Sequence, residues 1–265
     1  MLTMIIAVVL GVMTFYSTQD NWGTAWAVTS GIVVFMLAQL AIGLFIRSRI
    51  NKITADIQDI MMKTQNKINR QINVMQYRQL GNPKSMQQQL AKEQNNALRK
   101  CLEITERANK YFIWNVLLKK QIISMRMMLY FQMKEFKKVD ELMPKALIFD
   151  ARSVAVKGVR MFKNNDPKLI PYLGKKAEKF KNDDAVLIYS LLAWILVKHN
   201  QINEAVTLLA KAKNRVDNQV INENYERLAN GKEKHFSNAN LGDIWYSLYL
   251  EEPKVKQQRV QQRGF

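Results

Sequence analysis

The chain has 265 residues, 48% of them hydrophobic, with 40 Lys and Arg against 22 Asp and Glu, for a net charge of +18. One cysteine, Cys101, excludes an intrachain disulfide framework and suits a reducing compartment. Five Pro, ten Gly and the absence of alternating β-branched runs exclude a β-rich chain and predict an all-α fold.

Residues 1–46 carry a single charged side chain, Asp20, before Arg47, Arg49 and Lys52 arrive together. Residues 25–46 are 22 uncharged, mostly apolar positions. As a helix they cover about 33 Å, enough to cross a bilayer core. Residues 2–16 form a second uncharged run, about 22 Å as a helix and short of the roughly 30 Å of hydrocarbon. The intervening STQDNWGT (17–24) reads as a polar loop broken at Gly23, with Tyr16, Trp22 and Trp26 at headgroup level. The pattern predicts a transmembrane helical hairpin, with helices 2–16 and 25–46 making an anchor over 1–46. The other readings are a single span with 2–16 in the interface, and a cleaved signal, which lacks a basic segment before its apolar run. Gly11, Gly31, Ala38, Ala41 and Gly43 permit close helix contact. The cations after Ile46 predict that the bulk of the chain is cytoplasmic, with a bacterial inner membrane as the expected setting.

Residues 47–80 read as a juxtamembrane, coiled-coil-like amphipathic stalk helix. Ile50, Ile53, Ile57, Ile60, Thr64, Ile68, Ile72 and Met75 recur at steps of 3 and 4 on one face. That stripe is offered to a second copy of the chain, to the chain's own domain, or to the bilayer surface. Gly81-Asn82-Pro83 ends it. Ser85 then caps a connecting helix over 84–109, with Leu90, Ala97, Leu98, Cys101, Leu102 and Ile104 buried. Cys101 reads as a small core residue.

Residues 110–253 alternate apolar-periodic stretches with short polar breaks. Helices are predicted over 111–133, 135–149, 152–163, 167–181, 184–199, 202–215 and 218–229, with Asp183 and Asp184 as an N-terminal cap. Small positions recur. Met127, Gly158 and Ala193 are separated by 31 and 35 residues, as are Ala146, Ala177 and Ala212. The clearest unit carries Tyr189, Leu192, Ala193, Leu196, Ala205, Leu209 and Ala212 as packing positions. Small residues at 193 and 205 let two helices approach, and the large ones fill the gap to the next unit.

This spacing, with the turn His199-Asn200-Gln201-Ile202-Asn203-Glu204-Ala205, resembles the tetratricopeptide repeat over roughly 110–230. The first copy departs from it at Met127, Arg126 and Val139, and the second at Ile170. The resemblance implies an α-solenoid whose first helices line a groove for peptides or helices of partner proteins. Lys119, Lys120, Arg126, Lys157 and Arg160 are the partner-binding candidates on those helices. Trp245, Leu248 and Tyr249 share one helical face and predict a C-terminal capping helix. Residues 254–265 are expected to be a basic mobile tail. The overall layout also resembles HemY-type membrane proteins associated with haem biosynthesis.

Residues 119–181 hold 16 Lys and Arg against 6 Asp and Glu. Such an excess suits an anionic membrane surface or an acidic protein partner, while nucleic acid is disfavoured by the lack of a recognition motif. No catalytic constellation is evident. His199 and His235 have no metal-ligand spacing, and no phosphate loop or nucleophile elbow occurs. The chain is therefore read as a non-enzyme without a cofactor. It is expected to be a membrane-anchored tetratricopeptide-like adaptor or scaffold. A homo-oligomeric structural membrane protein and a HemY-like accessory factor are the alternatives.

Overall fold

A computed structural model describes residues 2–78, 83–114 and 116–253, and every regular element in them is helical. The chain forms two compact units, Met1–Leu147 and Ile148–Phe265. The predicted tail over 254–265 lies outside the described residues.

In the first unit, α1 (Leu2–Trp22) has 21 residues and α2 (Thr24–Arg78) has 55. At 1.5 Å per residue α1 is about 32 Å long, so both helices are long and apolar enough to cross a membrane. The expected loop over 17–24 is not a loop. Its residues through Trp22 extend α1, and Gly23 alone breaks the chain, at φ +77°. The hydroxyls make this extension compatible with an apolar helix by bonding back along it. Ser17 Oγ and Thr18 Oγ1 donate to Thr14 O at 3.0 and 2.8 Å. Thr18 and Ser30 also pair their hydroxyls across the hairpin at 3.2 Å. Gly11 and Gly31 mark the closest approach, because a Cβ on either would lie 2.9–3.0 Å from the other's carbonyl oxygen. Gly43 and Ala41 are exposed, so the close contact does not extend to the far end of the hairpin. Most large apolar side chains of these helices face outward, including Met13, Met36, Leu40 and Leu44. That contiguous apolar surface is what lipid, and not water, would cover.

Beyond Ile46 the second helix continues without a break, and its stripe is used. Ile53 and Ile57 are buried, and Ile50 and Ile60 are half-buried. Their cover is α3 (Pro83–Glu106), which runs back along α2: Lys67 pairs with Glu93, Cys101 Sγ lies 3.9 Å from Ile57 O, and Arg107 lies 3.9 Å from Asp56. Leu98, Cys101 and Ile104 join the isoleucines in one core with Leu118, Ile122 and Leu129 of α4 (Val116–Gln132). Ser85 lies inside the first turn of α3, not before it.

The helix expected over 111–133 is interrupted. Asn109–Tyr111 is one 3-10 turn, and α4 begins only at Val116. The carbonyls of Ile113 and Trp114 are taken by the start of α1: Leu2 N–H donates to the first at 3.4 Å and Thr3 Oγ1 to the second at 3.3 Å. These bonds tie the start of α1 to the irregular stretch before α4. The helix over 135–149 is also cut short. α5 (Phe136–Leu142) gives way to a 3-10 turn holding Pro144, and Ala146 is extended.

The second unit is built on α8 (Asn182–Lys198), buried on every face from Ala185 to Leu196. Around it stand α6 (Ala151–Lys163), α7 (Leu169–Ala177), α9 (Ile202–Lys213) and α10 (Gln219–Ala229). Asp183 and Asp184 sit in the first turn of α8, where negative charge complements the helix dipole; Lys181 occupies the cap position. Gly158 is a packing position, since a Cβ there would meet Leu173 at 2.9 Å and Leu191 at 3.3 Å.

One turn recurs; it is made at Gly231, where Lys232 N–H donates to Arg227 O at 2.8 Å, and at three non-glycine positions. Lys134, Asn165 and Asn200 adopt positive φ of 60°, 52° and 58°. The residue after each, Glu135, Asp166 and Gln201, donates its N–H five residues back, to Tyr130, Met161 and Leu196, at 2.9–3.0 Å. This is the Schellman arrangement that ends a helix and reverses the chain. The three non-glycine positions are spaced by 31 and 35 residues, the same interval that separates the small positions in the sequence.

The predicted capping helix is replaced by an irregular segment. Only Asp243–Tyr246 is helical (α11), bounded by Gly242 at φ +62° and by Tyr249 at φ +56°. Trp245 and Leu248 are nonetheless buried, and Tyr249 is half-buried. The indole N–H groups of Trp194 and Trp245 both donate to the Glu251 carboxylate at 2.7 Å, and the two rings meet edge to face. Buried Asn224 and Asn238 add a second tie. Asn224 Nδ2 donates to Ser237 O and Asn238 Oδ1, and Asn238 Nδ2 donates to Ser190 O on α8.

Candidate protein-binding groove

The second unit carries an open groove of about 460 Å³ between α7 and α9, with α8 as its floor. Ile170 and Gly174 form one wall, Thr207 and Leu208 the other, and Leu192 and Leu196 the base. The two walls belong to the second helices of successive hairpins. Leu192 and Leu196 of α8 are themselves buried and reach the groove only at its base. The lining is almost wholly apolar, with Asn203, Glu204 and Lys211 at the edge.

Ion pairing ties one end of the groove. Lys211 Nζ donates to Glu178 Oε1 at 2.5 Å, and Arg215 Nη2 donates to Glu178 O at 2.7 Å. The hydrogen bond to Lys211 holds the Glu178 carboxyl below its ordinary range and raises the Lys211 ammonium in return. Both side chains are largely in solvent, so this pair orients α7 against α9 and adds little stability.

Tyr189, Ala193, Ala205, Leu209 and Ala212 are all buried, as are Leu192 and Leu196. The five partner-binding candidates are divided between the two units. Lys119, Lys120 and Arg126 lie in the first unit, and Lys157 and Arg160 in the second. Lys119 and Lys120 are exposed on α4. Arg126 is engaged within its own unit. Its guanidinium is spent inside the unit on Thr105 and Asn109, because the carbonyl end of α3 needs donors there. Lys157 places its ammonium 4.8 Å from the Tyr172 ring centroid, on α7. Arg160 is half-buried on α6. Ile170, Gly174, Thr207 and Leu208 were missed as lining residues. Ile170 had a signal: a large residue stands where the repeat pattern asks for a small one.

Tyr172 is the strongest titrating feature of this unit. Its hydroxyl is buried without a hydrogen-bond partner among the described residues, and burial pushes its pKa up to about 12. The raised value means that the folded state keeps the proton longer than the unfolded chain does. Stability from this group is complete below about pH 10 and falls as pH rises from about 10 to 12. Tyr172→Phe should be neutral or stabilising at pH 7, since it removes an unsatisfied hydroxyl. It should also flatten the alkaline fall in a pH series of thermal midpoints.

Among the described residues no group of three or more His, Cys, Asp or Glu side chains could hold a metal ion. Comparisons with protein-family models, curated proteins and solved structures give no match to this chain.

Proposed function

We propose that the protein is a membrane-anchored, tetratricopeptide-like adaptor that holds a partner protein at the cytoplasmic membrane surface. The observation that carries this reading is the apolar groove between α7 and α9, set on hairpins that share one turn geometry and one repeat interval. A solenoid of such hairpins needs its last apolar face covered, and the segment around Trp245 would serve as that cover. The apolar hairpin α1–α2 supports an anchor, and Arg47, Arg49 and Lys52 support the cytoplasmic orientation. The groove suits the apolar face of a helical or extended segment, anchored by its large side chains. The stripe on α2 is already covered by α3 over Ile53 and Ile57, which favours the adaptor over a homo-oligomer built through that stripe.

Gly174→Leu tests the reading. A Cβ at Gly174 meets nothing within 4 Å, so the leucine fills the groove without displacing backbone. Replacing a helical glycine also gains roughly 0.5–1 kcal/mol of helix propensity. The full-length variant should keep or raise its thermal midpoint while losing at least about tenfold of its capture of a partner in mild detergent. Equal capture by variant and parent would remove the groove from the proposed function.

A further inference from the structure

A second cavity lies in the first unit, where the uncharged stretch of α2 ends. It has about 460 Å³ and is lined by Thr3 of α1, by Gln39, Gly43, Ile46, Arg47, Ile50 and Asn51 of α2, and by Leu117, Leu118 and Gln121 of α4. Its frame is built by hydrogen bonds. Gln39 Nε2 donates to Thr3 O at 3.2 Å, and Leu2 and Thr3 bond to the carbonyls of Ile113 and Trp114. The start of α1 is thus fastened to the turn before α4, and the three helices enclose a cleft.

The chemistry of the lining is divided. Ile46, Ile50, Leu117 and Leu118 offer an apolar wall; Arg47, Asn51 and Gln121 offer donors. No acidic side chain lines the cleft, and α4 holds Lys119, Lys120 and Arg126 with no acid at all. Arg47 is exposed and makes no hydrogen bond or ion pair among the described residues. An anion with an attached hydrocarbon chain satisfies both halves at once. Arg47 can donate to a phosphate oxygen in the charge-assisted way that guanidinium favours, while an acyl chain runs along Ile46 toward the exposed apolar face of the hairpin.

We propose that this cleft binds the headgroup of an anionic glycerophospholipid, with Arg47 on its phosphodiester and Gly43 leaving room for the glycerol and upper acyl chain. The proposal rests on the reading that α1 and α2 cross a bilayer. The cleft sits level with the first cations after the apolar run, which is headgroup depth for a span that ends at Ile46.

The test uses the full-length chain in nanodiscs of equimolar phosphatidylcholine and phosphatidylglycerol, with retained lipid read by mass spectrometry of the intact protein. The parent should retain phosphatidylglycerol in preference to phosphatidylcholine. Arg47→Gln should lower that retention about tenfold. Gly43→Phe should do the same, because a Cβ at Gly43 meets nothing within 4 Å and the ring would occupy the cleft. Arg49→Gln removes the same charge from a side chain that lies over the Phe45 ring, outside the cleft, and should leave retention within about twofold. Equal loss in all three variants would assign the effect to diffuse surface charge and overturn the site. Displacement of the lipid by millimolar inorganic phosphate would assign the cleft to free phosphate and overturn the lipid. Release of the chain from membranes by alkaline carbonate would overturn the spanning reading itself, whereas retention in the membrane with no lipid preference overturns only the cleft.

Discussion

Replacing Trp245 by alanine should lower the thermal midpoint of the second unit by about 15 °C. Trp245 is fully buried, meets Trp194 edge to face and donates its indole N–H to Glu251. Truncating a buried tryptophan costs roughly 3–5 kcal/mol, and a unit of about this size loses roughly 4 °C per kcal/mol. The loss is large because nothing regular replaces it: α11 has four residues, and the segment around it is held by side chains and not by a helical ladder. Two milder variants separate the contributions. Trp245→Phe keeps most of the ring and removes the N–H, so Glu251 retains one donor from Trp194. Glu251→Gln keeps the shape but leaves one of two indole N–H groups without an acceptor, at about 1–3 kcal/mol. Fluorescence of the remaining tryptophans during heating of the full chain in mild detergent provides the measurement. A shift under about 3 °C for Trp245→Ala would mean that the C-terminal segment is not fastened to α8 as described.

The parts legible in the sequence are those where one periodic pattern decides. Helices α6 and α9 begin within a residue of expectation, since the stretches around Gly158 and Ala205 carry an unambiguous apolar face and a polar break on each side. The repeat interval was legible as well. Small residues recur because helices must cross closely, and the same interval returns in the left-handed residues Lys134, Asn165 and Asn200. What was not legible depends on partners distant in the chain. The turn at Ile113 and Trp114 is tied to Leu2 and Thr3, over a hundred positions away, which donate to those carbonyls. The continuation of α1 through Ser17 and Thr18 depends on hydroxyls bonding back along the helix, which composition alone reads as loop. The expected partner-binding residues are cations on first helices, whereas the groove proposed to bind a partner is walled by second helices and is largely apolar. Ile170 departs from the repeat pattern, but its place at a groove and not in the core shows only once its neighbours are placed. The internal bonds of Arg126 are equally hidden in the sequence. A polar residue on a helical face reads as solvated, yet the end of α3 claims it.

Arg126→Met should therefore destabilise the first unit by about 3 kcal/mol, as three hydrogen bonds from a charged donor are lost. The guanidinium donates from Nε to Thr105 Oγ1 at 2.9 Å and from Nη2 to Thr105 O at 2.9 Å and Asn109 Oδ1 at 2.7 Å, while lying over the Phe112 ring. Thr105 is fully buried, and its carbonyl belongs to the last turn of α3, where acceptors lack helical donors and a cation is favoured. Burial lowers the Arg126 pKa, with Glu106 and Tyr130 pulling in the other direction, but the side chain stays charged at neutral pH. Arg126→Lys should recover less than half of the loss, because an ammonium cannot reproduce the planar fork that meets Thr105 twice and Asn109 once. Amide exchange should quicken at residues 105–114 and at the start of α1, since the turn that Arg126 steadies also receives Leu2 and Thr3. The same variant separates two roles for this residue. If Arg126 faced a partner, its loss would weaken partner capture and leave amide exchange and the thermal midpoint unchanged. An internal clamp loosens the cleft first, and any effect on a partner follows from that.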